Sequence, residues 1–418
     1  MPTIQLRYGN AAIPFDFDEN RFQVLGSEKQ SRPLSDVEIG ERLDTPIDSP
    51  RLDEIVKPDE TVLIVVPDAT REAAAGQIVN LIVRRLISNG TQPGDIRIIF
   101  ATGIHRAVTE DEKRDILTPF IYQRIKILEH NARDLSQIIR LGETKRGIPI
   151  ELNRALVEHD HVILVGGVSF HYFAGFGGGR KMVCPGLGSN RTVSETHKLA
   201  FDAEQKTRRE GVGLAQLTGN AVHEEFMEVV EKINPSFAIN TIVNDKGEAV
   251  EIFAGNWKTA HEKACEVYAE EHSVKITEKR DTVIVSCGGA PFDLNMIQAH
   301  KALEMASHTC TSDGTIIFLA ECADGLGRSD FLKWFEAENS AALAEILCEK
   351  YQVNGQTAWS LLSKAERFNV EIVTDLSEET TNLMRLYKTP NLQTAMSKIA
   401  VDSVGYILPY GGKFLIKI

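Results

Sequence analysis

Four side chains carry the chemistry this chain could perform: His105, His171, Lys181 and His197. His105 lies at the end of "DIRIIFATGIHR" (95–106) and His171 at the end of "DHVILVGGVSFH" (160–171), each just past an apolar run. Histidine is the usual general acid or base near neutral pH. Two of them on opposite faces of one substrate carbon suit a reaction that removes something from one face and returns it to the other. His171 also opens "HYFAGFGGGRK" (171–181), a glycine cluster that ends on Lys181. This is not a P-loop, because no Ser or Thr follows the lysine and the glycine spacing differs. The cluster fits a tight connection with positive φ, and equally a phosphate cradle with two cations beside it. His197, in "TVSETHKLAF", reads as a metal ligand or as a helix-surface residue. Cys184 reads as a soft ligand or as an inert buried thiol.

Other residues gain meaning only from their neighbours. Asp68, Thr70 and Arg71 follow the apolar run "TVLIVVPDATR" (61–71), where Asp68 and Arg71 suit a local cap and ion pair or a cleft. Gln298 and Lys301 are three apart in "NMIQAHKAL" and share one helical face. Such a pair holds a carboxylate beside a site and is a solvated face elsewhere. His130, His159, His161, His223, His261, His272 and His308 read as surface or satisfied core residues.

The elements that must position these groups are strands alternating with helices. "AAAGQIVNLIVRRLISNG" has the apolar spacing of an amphipathic helix closed by Gly90. The runs at 61–71, 95–106 and 160–171 read as buried parallel strands. A second series begins near Asp281, with strands in "DTVIVSCGGAPFD", "GTIIFLAECADGLG" and "VEIVTDLS" and a helix in "MIQAHKALEMASHTC". The expected class is α/β: two α/β domains with mainly parallel sheets and helices on both faces. The charged stretch "EEHSVKITEKRD" (270–281) is the expected boundary, giving domains of 1–275 and 276–404. The last segment, "YILPYGGKFLIKI", reads as one strand that could belong to either domain, with 405–418 a candidate completion of the first. In open α/β sheets ligands bind beyond the carboxyl ends of the strands, so Asp68 to Arg71, His105 and His171 converge if their strands are neighbours.

Composition narrows the function. The chain has 418 residues, 43% hydrophobic and 25% charged, with formal net charge −13. That balance opposes a general nucleic-acid binder but leaves room for an anionic substrate in a local positive field. No apolar run is long enough to span a membrane, and no signal peptide is expected at the start. The six cysteines are scattered without a C-x-x-C pair, which disfavours a zinc ribbon or disulfide framework and fits a reducing cytoplasm.

Taken together, "DATR" (68–71), "ATGIHR" (101–106), "HYFAGFGGGRKMVCPG" (171–186), "TVSETH" (192–197) and "MIQAHKA" (296–302) resemble the lactate racemase family of nickel-pincer nucleotide enzymes. The resemblance runs over nearly the whole chain, and the motif from His171 to His197 is its most specific part. It implies an active site in the cleft between the two domains. It also implies a cofactor, pyridinium-3,5-bisthiocarboxylic acid mononucleotide nickel, attached covalently at Lys181, with His197 completing the nickel coordination. Soft sulfur with imidazole suits Ni(II). His105 and His171 match the proton donor/acceptors. Asp68, Ala69, Thr70 and Arg71 match the segment that binds cofactor and flanks substrate, and Gly177, Gly178 and Gly179 would admit the nucleotide. Gln298 and Lys301 match the substrate pair, with Lys301 as a point charge for the carboxylate. The implied reaction inverts C2 of a 2-hydroxy acid by reversible hydride transfer through a 2-keto acid. The implied partners are that small substrate and the proteins that make the cofactor.

The sequence departs from the family in its pocket lining. Ile297 stands where lactate racemase has a tyrosine, Gln356 where it has a tryptophan, and no proline follows Arg71. These changes leave the substrate open to a larger, more polar 2-hydroxy acid, such as a sugar acid or dicarboxylate, with Gln356 among its contacts. Two other classes stand beside this reading. One is a protein that binds a nucleotide or 2-hydroxy acid without catalysis. The other is a nicotinamide dehydrogenase, disfavoured because the first strand lacks G-x-G-x-x-G. Oligomeric state is not legible.

Overall fold

The computed structural model describes residues 1–26 and 31–417. It divides into two compact units. The smaller comprises Met1–Lys29, Phe201–Arg209 and His272–Ile418; the larger comprises Gln30–Ala200 and Glu210–Glu271.

The larger unit is built on a six-stranded sheet. Its order is Ala249–Gly255, Phe237–Val243, His161–Gly167, Val62–Pro67, Ile96–Ala101 and Lys126–Leu128. Only the Ala249–Gly255 strand runs antiparallel to its neighbour. Val62–Pro67 is buried at every position, as a central strand covered on both faces has to be. Val62, Ile64 and Val66 join one apolar layer and Leu63 the other. The Ala75–Ser88 helix covers the first layer with Ile78, Val79, Ile82, Val83 and Leu86. Burying each such side chain contributes roughly 2 kcal/mol. The helix ends at Asn89, and Gly90 follows with φ +104°, the closing role its position predicts.

This sheet has a topological switch point. The Val62–Pro67 strand has Ile96–Ala101 on one side and His161–Gly167 on the other, all parallel. The loops leaving these three strands therefore emerge at one edge, where α/β sheets bind ligands.

The smaller unit holds an all-parallel sheet in the order Tyr387–Lys388, Asn369–Val373, Cys310–Leu319, Arg280–Ser286, Gly405–Leu408 and Phe22–Val24. The hairpin of Thr3–Tyr8 and Ala11–Asp16 packs Leu6 and Phe15 into the same core as Ile284, Ile317 and Ile407.

These pairings correct the boundaries expected from sequence. The division near 275 recurs between Glu271 and His272, but the first residues and 405–418 belong with the C-terminal segment. The physical reason is edge pairing: Phe22–Val24 hydrogen-bonds to Gly405–Leu408, and no local pattern in the sequence records that partner. The final segment is also two strands, Gly405–Leu408 in the large sheet and Leu415–Lys417 paired with Ser273–Lys275. Residues 201–209 likewise sit in the smaller unit. Arg208 reaches Glu304 at 2.7 Å, and Phe201 meets Trp359 edge-on at 5.4 Å.

Candidate active site

The switch point of the larger unit gathers the residues singled out by type and position. Asp68 follows Pro67 directly and is 6% exposed. Its Oδ1 accepts from Thr70 N at 3.0 Å and Thr70 Oγ1 at 2.6 Å, while Arg71 N donates to its carbonyl at 3.1 Å. Its Oδ2 lies 2.8 Å from His105 Nδ1. Burial would raise this carboxyl, but the His105 hydrogen bond and charge, with Thr70 and Arg71, bring it down to about 2. It is therefore a carboxylate and can only accept, so His105 Nδ1 donates. The His105 lone pair is then at Nε2, on a side chain 47% exposed.

His105 is held by the turn that carries it. His105 N donates to Thr102 O at 2.9 Å, and Gly103 N donates to Gly186 O at 2.8 Å. Gly186 N in turn donates to Lys181 O at 3.0 Å. The backbone thus couples the His105 turn to the Lys181 segment.

The "HYFAGFGGGRK" stretch is a miniature hairpin, with His171 paired to Gly175 and Phe170 to Phe176, followed by a 3-10 turn over Gly179–Met182. His171 is buried, and its Nδ1 accepts from Ala174 N at 3.3 Å. An accepting Nδ1 leaves the proton of the neutral ring on Nε2, the opposite tautomer to His105. Gly178 and Gly179 have φ of +68° and +48°. A Cβ on Gly179 would lie 2.4 Å from His261 Cδ2, so the ring of His261 excludes any side chain there. The turn reading of the cluster is thereby satisfied.

His197 lies in the last turn of the Asn190–Lys198 helix, whose N-cap Ser189 accepts from Thr192 N. It is buried, and burial first, then the Lys181 ammonium, pushes its imidazole down to about 3. At neutral pH it is an uncharged donor of a lone pair, the form that ligates a metal.

One ring organises these groups. Phe173 lies 4.5 Å from the His171 ring and 5.0 Å from the His197 ring, both edge-to-face, and Lys181 Nζ is 5.7 Å from its centroid. Phe173 is 4% exposed and stands two residues past His171, where composition alone offered no sign of a role. His261, read from sequence as a surface or satisfied core residue, is the latter, and Arg180, one of the two cations beside the glycines, faces inward. Both are buried against the loop, and only the fold brings His261 from a distant helix to it.

Asp68 to Arg71, His105, His171, Gly177 to Gly179, Lys181 and His197 all lie in the larger unit, with Ala69 exposed and Arg71 at the surface beside them. Gln298, Lys301 and Gln356 lie in the smaller unit. Gln298 and Lys301 share a face of the Met296–Thr309 helix as expected, with Lys301 Nζ donating to Gln298 Oε1 at 2.5 Å. Gln356 is buried in the first turn of the Val353–Arg367 helix, where its Oε1 accepts from Tyr351 Oη. Cys184 is fully buried and its thiol is pushed up to about 12, first by burial, so it is the inert alternative of the two considered. No helix among the described residues is long and apolar enough to cross a membrane.

Two units with mainly parallel sheets, one carrying histidines and a lysine on the loops at its switch point, define a two-unit α/β protein. Comparison with known proteins makes this specific. The lactate racemase N-terminal domain matches residues 8–208 and the lactate racemase C-terminal domain residues 275–405. A lactate racemase of Thermoanaerobacterium thermosaccharolyticum is 30% identical over 80% of this chain and 78% of its own. One of Lactiplantibacillus plantarum is 31% identical over 79% and 77%. The structure of the lactate racemase apoprotein from T. thermosaccharolyticum superposes with a TM-score of 0.91 over 100% of both chains, at 26% identity. A Thermotoga maritima protein shares the fold at a TM-score of 0.72 and 19% identity, over 94% of this chain and 100% of its own. The chain belongs to the lactate racemase family.

Proposed function

We propose that the protein is a racemase or epimerase of 2-hydroxy acids that uses a nickel-pincer nucleotide. The observation that carries this reading is the opposite hydrogen bonding of two histidines on loops leaving the same edge of one sheet: His105 Nδ1 donates to Asp68 and His171 Nδ1 accepts from Ala174 N. His105 is thereby presented as a base through Nε2, and His171 would serve as the acid once Nδ1 is also protonated, giving up its Nε2 proton. Inversion in one direction moves the substrate hydroxyl proton to His105, with Asp68 stabilising the imidazolium that forms. A proton from the imidazolium of His171 completes the new hydroxyl on the other face. The reverse direction exchanges the roles. Protonating His171 at Nδ1 displaces its contact with Ala174 N, so that contact is given up during turnover.

The residues fit the cofactor by their chemistry. His197 is a neutral buried imidazole, and Lys181 Nζ reaches the same Phe173 ring. Lys181 would tether that group and His197 would ligate its metal, with Asp68 to Arg71 and Gly177 to Gly179 along the nucleotide. When bound, the group supplies the acceptor for the C2 hydride. Lys301 and Gln298 would hold the substrate carboxylate, and Gln356 would line its far end.

Both curated relatives are named for lactate, so lactate heads the substrates to test. Gln356 favours adding larger polar 2-hydroxy acids to the panel. Protein made alongside the cofactor-synthesis proteins, given one enantiomer in deuterium oxide, should invert it with the C2 hydrogen retained. Intact mass should show an adduct on Lys181. Exchange of C2 hydrogen with solvent, or full activity without the adduct, would sink the reading.

A further inference from the structure

We propose that Arg180 is a positioning residue whose buried guanidinium sets the loop that carries His171, Phe173 and Lys181. The proposal rests on the reading above that His171 and Lys181 serve substrate and cofactor. Arg180 is 0% exposed. Its Nη2 donates to Ala174 O at 2.5 Å and its Nη1 to Phe176 O at 3.0 Å. Those carbonyls flank Gly175, the residue paired with His171. One side chain therefore ties the return strand of the hairpin to the residue immediately before Lys181.

His261 backs this arrangement from the Thr259–Glu271 helix. Its Nε2 lies 3.1 Å from Arg180 Nη1 and 2.9 Å from Gly177 O, and its ring presses on Gly179. A single ring nitrogen serves one of those partners at a time. Burial, with the Arg180 charge second, holds His261 well below its ordinary range, so it does not add a second charge.

The choice of an arginine is informative. Among the described residues Arg180 makes no ion pair, and its Nε has no hydrogen-bond partner. A buried cation without a carboxylate is a costly way to hold two carbonyls, and a simple turn does not need it. A planar fork holds two carbonyls in a fixed geometry through separate nitrogens, whereas an ammonium is a point donor. The geometry it enforces is the placement of the Phe173 ring between His171, Lys181 and His197.

The test uses the full chain in two states. In the cofactor-free protein, amide exchange read by mass spectrometry over 171–181 should speed about tenfold in Arg180→Met, as expected when buried carbonyls lose their donors. Exchange in the Val62–Pro67 strand should not change. In the loaded enzyme kcat should fall about 100-fold, the scale of a misplaced catalytic group, with KM within about twofold. Arg180→Lys should recover part of both, and it carries the test if Arg180→Met does not fold. Unchanged loop exchange in either folded variant overturns the proposal, as does a loosened loop with full kcat. A wild-type holoenzyme that inverts no 2-hydroxy acid overturns the function instead, and loop exchange in the cofactor-free chain still decides the role of Arg180.

Discussion

One buried charge in each unit shows two opposite ways of holding it. In the smaller unit Glu304 is 2% exposed and meets Lys364, Arg208 at 2.7 Å and Ser360 at 3.3 Å. Burial alone would raise its carboxyl, but Lys364 and Arg208 hold it well below the ordinary range. In the larger unit Arg180 is buried against carbonyls and a neutral histidine, with burial bringing it down to about 10, still charged at neutral pH. The first centre is compensated and ties the Met296–Thr309 and Val353–Arg367 helices to the 201–209 hairpin. The second is uncompensated and stands where two histidines and a lysine meet. The difference separates charge used to join elements from charge used to shape a site.

The sharpest break of this comparison is chemical. His105→Ala or His171→Ala should lower turnover about 10³-fold or more while both units keep their unfolding transitions, because each removes an acid–base group. Near-normal kcat in both would remove the two-histidine scheme. Next in size is the structural centre. Glu304→Gln should cost about 3–5 kcal/mol in denaturant unfolding, since it leaves the buried Lys364 without its carboxylate and takes that partner from the half-buried Arg208. A loss under 1 kcal/mol would mean that the pair is effectively solvated.

Asp68→Asn tests the tautomer. An amide can donate to His105 Nδ1, which would move the ring proton to Nε2 and block the base. We expect kcat to fall about 100-fold with KM little changed. Equal activity would show that Asp68 does not orient His105.

The smallest effect is on pH. The larger unit buries His130 and His223, brought down from 6.5 to about 4 and about 3, and His261, held well below 6.5, each first by desolvation. Between those values and 6.5 the unfolded chain binds more protons than the folded one, so stability falls as pH drops below 6.5. In the smaller unit His300 is brought down to about 3, first by burial. Glu304 of the same unit contributes stability above the ordinary glutamate value of 4.5 and loses it only as pH falls further, through the depressed folded value. At pH 5 amide exchange, corrected for its intrinsic rate, should therefore rise first in the larger unit. Equal or earlier loosening of the smaller unit would reverse that ranking.

Much of this was open to a reader of the sequence. Apolar runs marked the Val62–Pro67, Ile96–Ala101 and His161–Gly167 strands, because a strand covered on both faces tolerates little else. The polar residues just past them marked the candidate site, because parallel strands end together. The edge strand Phe22–Val24 was not visible, since three residues give no usable period and its partner is far along the chain. Phe173, and the contacts that Arg180 and His261 make with this loop, carried no local signal for a related reason. An aromatic residue, a basic residue and a helix histidine are common everywhere, and their role is a matter of distance.

The sequence by itself determined the class of fold, the family and the set of groups able to do chemistry, because hydrophobic period and residue type are local properties. Tertiary structure alone decided which unit owns each chain segment, which nitrogen of His105 and of His171 is engaged, and that one phenyl ring gathers His171, Lys181 and His197. Those outcomes depend on hydrogen bonds and packing between residues distant in the chain, and no local pattern encodes them.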